Sequence, residues 1–358
     1  MDPVPFILIG GGWRAAFYLK VAQELPQHFR VTGVMVRDAA KGARLEKTWG
    51  VRVFGTLEEV LTAGAAFAVV SVPWAVTPVM LSELAERGVP ALAETPPAPD
   101  LEGLARVAQL AVQGAKIQVA EQYAFQPLHA ARLAIAASGR LGRVTQAQVS
   151  VAHGYHGVSL MRKFLGITYE NATIQAYSFT SPLLAGPGRD GPPSEEKVIA
   201  SKQVVARFDF GDRLGVFDFT GDQYFSWIRS PRLLVRGDRG EIHNSSIRYL
   251  QDFRTPVVLE LLRQDAGEEG NLEGYYHKGY LAGAEWVYRN PFVPARLSDD
   301  EIAVATCLQK MAEYVEGGPP FYPVAEAAQD HYLSLSMERA LAAGVALTTT
   351  TQAWGTGQ

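Results

Sequence analysis

Two short stretches carry residues equipped for chemistry. The first is Gly10-Gly11-Gly12-Trp13-Arg14-Ala15, which reads as G-x-G-x-x-A. Such a turn can cradle a phosphate. Gly10 permits a sharp bend, Gly12 leaves the backbone bare for a pyrophosphate, and Ala15 lets the following helix pack close to the preceding strand. The N–H groups at that helix end, with its partial positive charge, suit an anion. The competing reading is a plain glycine turn in another α/β fold. The setting favours the phosphate, because the turn follows the apolar run Phe6-Ile7-Leu8-Ile9 and opens a helical pattern over Trp13–Leu25. The second stretch is His153-Gly154-Tyr155-His156. Imidazole titrates near neutrality, so His156 suits acid–base work; a capping or buried structural histidine is the blander alternative. Strand alternation puts His153 and Tyr155 on one side, with a helix beginning at His156, and either flanking residue can donate a hydrogen bond to a substrate. No carboxylate or cysteine lies at ligand spacing from the two histidines, so no metal site is expected.

Elements must place these stretches. After the first strand and helix, Val31–Val36 reads as a second strand ending at Arg37-Asp38. In a dinucleotide-binding unit that end meets the adenosine ribose. An acid there selects NAD and an arginine NADP; with Val36 followed by Arg37, the expectation is NADP, with NAD open through Asp38. A helical pattern to Lys47, a short strand Val51–Phe54, a helix Leu57–Thr62 and the strand Phe67–Val72 follow, closed by Pro73. Then come a helix Val76–Arg87 stopped by Gly88, a strand Pro90–Ala93, a helix Leu101–Val112 and a strand Lys116–Ala120. This alternation means a doubly wound parallel sheet, whose ligands bind beyond the carboxyl ends of the strands. Those ends are Gly10–Ala15, Arg37, Ser71–Trp74, Glu94–Pro96 and Glu121–Tyr123.

After a helix Leu128–Ser138 the pattern changes. Strand-like runs at Val144–Val151, Thr173–Phe179, Gln203–Phe210, Leu214–Thr220, Arg232–Arg236 and Glu241–Leu250 are punctuated by Gly211-Asp212 and Gly237–Gly240 turns. A helix over Gly157–Leu165 sits among them. Pro182–Pro193 and Asp265–Gly274 read as loops. Ser298 is an N-cap candidate for a helix Asp299–Glu316, and Val324–Ala343 is helical before a strand Val345–Thr351. Asp222–Trp227, aromatic at alternating spacing, reads as sheet face and subunit interface. The expected architecture is therefore α/β: an N-terminal Rossmann domain, residues 1–123, and a C-terminal α+β domain, residues 124–358, with a large, mainly antiparallel sheet.

Bulk composition bounds the function. The chain has 358 residues, 47% hydrophobic and 20% charged, with net charge −4 and no basic run, which argues against nucleic acid as a partner. The single cysteine, Cys307, excludes an internal disulfide and reads as a core thiol. No apolar run approaches the ~20 residues needed to cross a bilayer. A cytoplasmic protein is expected.

The residues resemble the Gfo/Idh/MocA oxidoreductase family, which includes glucose–fructose oxidoreductase and inositol dehydrogenase. The Gly10-x-Gly12 turn fits, as does Ser71-Val72-Pro73, which by resemblance approaches the nicotinamide ribose. Gly88–Pro96 resembles the stretch ending in Glu-Lys-Pro, implying that Glu94 meets cofactor ribose. Ala152–Leu160 resembles the Asp-x-Gly-x-His-x-x-Asp-Leu segment beside the substrate, and Arg236–Ile242 the Gly-x-x-Gly hairpin. The family's lysine falls on Thr95, its two aspartates on Ala152 and Ser159, and an arginine common before Pro127 on Ala124; His156 is retained. Lys278 is a stand-in for the lysine only if it reaches the cleft, and a surface lysine is the better reading.

The expected cofactor contacts are Gly10, Gly11, Gly12, Trp13, Arg14, Arg37, Ser71, Pro73, Trp74, Glu94, Thr95 and Gln122, with His156, Tyr155 and Tyr123 as catalytic candidates. The resemblance implies hydride transfer between a nicotinamide and a small sugar-, polyol- or carbonyl-type substrate resting on the second sheet, by a homodimer or homotetramer. Two rivals stand beside this reading, the first of them motivated by the altered motif. One is a dinucleotide-binding sensor or partner subunit without turnover. The other is a tightly held cofactor cycling between two substrates.

Overall fold

The computed structural model describes residues 2–189, 191–270 and 273–355. Its contacts divide it into two units. The first takes residues up to His129 with Arg263–Gly279 and Arg289–Ala328; the second takes Ala130–Leu262, Tyr280–Tyr288 and the chain from Gln329 onward.

In the first unit, strands β1 (Val4–Ile9), β2 (Phe29–Met35), β3 (Val53–Phe54), β4 (Phe67–Val70), β5 (Ala91–Ala93) and β6 (Ile117–Val119) form a sheet in the order β3-β2-β1-β4-β5-β6. Every neighbouring pair is parallel. The helices between the strands are α1 (Ala15–Glu24), α2 (Ala39–Trp49), α3 (Leu57–Leu61), α4 (Thr77–Glu86) and α5 (Leu101–Val112). Phe6–Ile9 and Phe67–Val70 are buried on both faces, as continuous apolar strands covered by helices on either side must be. The strand order reverses between β1 and β4, the switch point at which such sheets open a crevice for ligands.

The chain continues through α6 (Pro127–Ala137), β7 (Val144–Ser150), α7 (Gly154–Leu165), β8 (Thr173–Leu184), β9 (Val198–Asp209), β10 (Leu214–Thr220), β11 (Arg232–Gly237), β12 (Gly240–His243), β13 (Ser246–Asp252), β14 (Thr255–Asp265), β15 (His277–Ala282), β16 (Glu285–Arg289), α8 (Asp299–Val315), α9 (Val324–Ala343) and β17 (Leu347–Thr348). Strands β7–β17 form one sheet in the order β16-β15-β14-β13-β12-β11-β7-β10-β9-β8-β17. The β7–β10 pair is parallel and its neighbours β11–β7 and β10–β9 are antiparallel. Helix α7 lies tight on β10: a Cβ on Gly157 would stand 2.7 Å from the Phe217 ring. Helix α8 is capped by Ser298, whose amide donates to Glu301 Oε2 at 2.8 Å while its hydroxyl accepts from the Glu301 amide.

Four local differences from the sequence reading have physical causes. The single strand over Glu241–Leu250 is two strands, because Asn244 takes φ 54° and turns the chain back on itself. The loop expected from Pro182 begins later, since β8 pairs with β9 as far as Leu184↔Val198; Asp190, within that loop, lies outside the described residues. In the expected Asp265–Gly274 loop, residues 271 and 272 likewise lie outside them. The helix expected at Gly157 starts at Gly154, so Tyr155 and His156 both stand in its first turn and His153 is its N-cap residue. Finally, Asp222–Trp227 is no sheet face: Gly221–Tyr224 is a 3₁₀ turn.

Candidate functional site

The glycine turn joins β1 to α1. Gly10 has φ 108°, and a Cβ there would lie 2.0 Å from the Ser71 carbonyl oxygen, so glycine is required twice over. A Cβ on Gly12 would meet nothing within 4 Å: the backbone faces open space, as a phosphate cradle must. The amides of Gly11 and Gly12 donate to no group among the described residues. The first turn of α1 holds no acidic side chain that would repel an anion. Trp13 and Trp74, at the ends of β1 and β4, are 53% and 49% exposed, so each presents half a large ring outward at the rim of the turn.

Behind the turn lies a polar network that joins Arg14, Glu94 and Gln122, each named from the sequence, to Tyr18, which was not. Glu94, just past β5, accepts from Arg14 Nε at 2.8 Å and from the Tyr18 hydroxyl at 2.5 Å, and its second oxygen takes the Thr95 amide at 3.3 Å. Gln122 closes the chain: its amide donates to the Ala120 carbonyl at 2.9 Å and accepts from Arg14 Nη2 at 3.3 Å. Burial opposes the Arg14 charge, but Glu94 more than offsets this and holds the guanidinium protonated. Burial, then Glu94, raises Tyr18 well above the phenol range. Thus Glu94, read from sequence as a ribose contact, is engaged within the protein, and Arg14 and Gln122 share its network. Cys307 is fully buried, and burial pushes its thiol far up, as an inert core thiol requires. At the end of β2, Arg37 is exposed, whereas Asp38 is occupied as the N-cap of α2, accepting from the Lys41 amide at 2.9 Å. Tyr123 stands in the 3₁₀ turn after β6, its ring 6.4 Å from that of His129.

In the second unit, the first turn of α7 gathers an aromatic group. His156 and Tyr155 are 5% and 7% exposed, with ring centroids 4.4 Å apart. The His153 ring is 5.0 Å from His156, and its Nε2 lies 3.4 Å from the Tyr155 hydroxyl. Its Nδ1 is 2.6 Å from the Tyr224 hydroxyl, which also accepts from the His153 backbone N–H at 3.0 Å. Although His153 as a residue is exposed, desolvation by the rings packed around its imidazole, and then His156, push it down to about 4. From α9, His331 meets Tyr155 edge-on at 5.4 Å. Asp330 beside it forms a buried ion pair with Arg162 of α7.

Tyr224 had a legible signal. Thr220-Gly221-Asp222-Gln223 has capping-box spacing, and the box forms. The buried Gln223 amide donates to the carbonyls of Ser150 and Ser230, pinning the turn to the end of β7 and hence Tyr224 to His153. His331 and Asp330 carry no such local mark.

Residues 4–122 match the family model described as the oxidoreductase family, NAD-binding Rossmann fold. Over these residues the chain is similar to the Gfo/Idh/MocA family. No curated protein matches the sequence. Among solved structures, an Agrobacterium radiobacter oxidoreductase in complex with NAD+, L-tartaric acid and magnesium is similar at 15% identity and TM-score 0.68, covering 97% of this chain and 98% of its own. The WlbA dehydrogenase of Chromobacterium violaceum, in complex with NADH and UDP-GlcNAcA, is similar at 16% identity and TM-score 0.63, covering 98% and 97%. A Desulfitobacterium hafniense oxidoreductase named as NADPH-dependent is similar at 13% identity and TM-score 0.65, covering 97% and 98%. At these identities the likeness is one of fold, over both domains.

Thr95, which by resemblance falls on the lysine of the Gfo/Idh/MocA motif, follows Glu94 and its amide donates to the Glu94 carboxylate. Lys278 is tied to Glu273 at 3.0 Å. Ala152 and Ser159, which by resemblance fall on the motif's aspartates, are fully buried. Among the described residues no three His, Cys, Asp or Glu side chains could hold a metal, and no helix is long and apolar enough to cross a membrane.

Proposed function

We propose that the chain is an NAD(P)-dependent oxidoreductase acting on a small sugar-, polyol- or carbonyl-type substrate. The observation that carries this reading is the open backbone at Gly12, at the head of α1, within the residues that match an NAD-binding family. The amides of Gly11, Gly12, Trp13 and Arg14 would hold the pyrophosphate. Gly10 makes the turn, and Ser71, Pro73, Trp74, Thr95 and Gln122 lie at strand ends suited to the nicotinamide half. Glu94 serves that half indirectly, by fixing Arg14. Arg37 favours the 2′-phosphate of NADP, because Asp38 is engaged as a helix cap.

When bound, the nicotinamide supplies or accepts hydride; the protein supplies position and proton handling. His156 takes the proton as a hydroxyl becomes a carbonyl, or returns it in reverse, with Tyr155 against its ring. A positioned base of this kind contributes about 10²–10⁴-fold in rate. With threonine at the lysine position, proton transfer falls to neutral histidine and tyrosine groups.

The test is a fluorescence titration with NADPH and NADH, followed by turnover across aldoses, polyols, carbonyl compounds and imines. Binding with turnover is the expected result. Binding of neither nucleotide sinks the reading. Binding with silence across the whole panel replaces it with a dinucleotide-binding partner that lacks turnover.

A further inference from the structure

The histidine–tyrosine group spans a gradient of exposure. His156 and Tyr155 are buried, while His153 is exposed and Tyr224 is 39% exposed. A buried acid–base group that turns over must exchange its proton with water, and of these four side chains the outer pair is the more open to it. The contacts run in that direction: Tyr155 hydroxyl to His153 Nε2 at 3.4 Å, and His153 Nδ1 to Tyr224 hydroxyl at 2.6 Å.

We propose that His153 and Tyr224 form a proton relay between the buried Tyr155–His156 pair and solvent. This rests on the oxidoreductase reading above. The hydrogen-bond chemistry sets the resting state. The Tyr224 oxygen already accepts the His153 backbone N–H at 3.0 Å. A phenol is a better donor than a neutral imidazole N–H, and an imidazole nitrogen a better acceptor than a phenol oxygen. The short contact is therefore O–H to Nδ1, and the single ring proton of His153 sits on Nε2, facing Tyr155.

The relay then balances one proton at a time. When Tyr155 gives its hydroxyl proton inward, His153 Nε2–H replaces it, Nδ1 takes the Tyr224 proton, and Tyr224 is reprotonated from water. One proton has moved from water to the site, and the imidazole has exchanged tautomers. The reverse sequence starts from that second tautomer, carries a proton outward and restores Nε2–H, so successive transfers in one direction require the imidazole to turn over between them. No member bears a charge at the end. His153 and Tyr224 touch no reacting atom in this scheme; they are positioning residues that act through Tyr155.

Two measurements test it. In protein labelled with ¹⁵N-histidine, with nucleotide omitted, two-bond ¹H–¹⁵N spectra at neutral pH report the His153 tautomer, assigned by loss of its signals in His153→Gln. Nε2–H is expected in the wild type and a mixture of tautomers in Tyr224→Phe, which keeps the ring and its 5.1 Å edge contact with Phe219. In turnover, Tyr224→Phe and His153→Gln are each expected to lower kcat about 10-fold or more, less than the about 10²–10⁴-fold of a group that acts on the substrate directly. Nucleotide Kd should be unchanged, and added imidazole should restore part of the His153→Gln loss. A wild-type proton on Nδ1, a tautomer unmoved in Tyr224→Phe, or full kcat in both variants overturns the relay while leaving the oxidoreductase reading intact. The expected tautomers without turnover on any substrate overturn the oxidoreductase reading, and the relay falls with it.

Discussion

At the scale of residues, three side chains make separable predictions. His156→Ala should lower turnover by about 10²–10⁴-fold with nucleotide affinity unchanged, measured as kcat against Kd; undiminished kcat would remove His156 from the chemistry. Arg37→Ala should weaken NADPH binding about 10-fold or more and leave NADH binding nearly unchanged, since a charge-assisted bond to phosphate is worth at least one factor of ten. Tighter NADH than NADPH binding by the wild type would reverse the assigned preference. His153 predicts a pH effect. Burial and His156 hold its imidazole at about 4, below its ordinary 6.5. The folded state therefore binds fewer protons than the unfolded chain between these values. The stability due to this site is present above pH 6.5 and lost as pH falls toward 4. Thermal unfolding across that window should show a weaker acid dependence in His153→Gln than in the wild type. His156 and the Gly10–Gly12 turn stand out in the sequence because their signals are local. Arg14 and Glu94 are each legible as cofactor-side residues, but their shared network with Tyr18 is not, because residues 80 apart in sequence share one carboxylate.

Elements decide whether those residues stay in place. Helix α7 carries His156 and is tied to α9 by Arg162 and Asp330, whose side chains are 1% and 3% exposed. Breaking such a pair leaves a charge buried without its counter-ion. Asp330→Ala should therefore lower stability by about 3–5 kcal/mol in denaturant unfolding. Replacing both partners, as in Arg162→Met with Asp330→Leu, should recover most of that loss; a double variant as unstable as the single one would show that Arg162 matters mainly through its bond to the Thr168 carbonyl. The pairing was not readable from sequence, since nothing local couples positions 168 residues apart. Elements with a strong period were readable: Leu101–Val112, Leu214–Thr220 and Val324–Ala343 have the bounds their patterns give. Strands β14, β15 and β16 escaped notice for a physical reason. In β14 the apolar residues run together as Val257-Val258-Leu259 and Leu261-Leu262, so period two is invisible; β16 is a five-residue strand at the edge of its sheet.

For the whole molecule, the large sheet leaves apolar surface uncovered. On β8, Tyr177 and Phe179 are each 63% exposed, and they share a face because they lie two residues apart; Val198 on β9 is 64% exposed. Trp227 and Ile228, after the turn that holds Tyr224, are 75% and 61% exposed. Monomers rarely leave so many large apolar groups in water, and an eleven-stranded sheet with exposed apolar side chains on β8 and β9 offers a surface to be covered. We propose a second copy of the chain as the cover, giving a homodimer or homotetramer. Sedimentation equilibrium of the wild type should return two or four times the 38.9 kDa chain mass. Tyr177→Glu with Phe179→Glu should shift it to a smaller species, because each glutamate would have to be desolvated in the interface. NADH affinity should not change, since the glycine turn belongs to the other unit. A wild type that sediments as a single chain at micromolar concentration would leave those side chains without a partner of their own kind, and the exposed aromatics would then need another explanation.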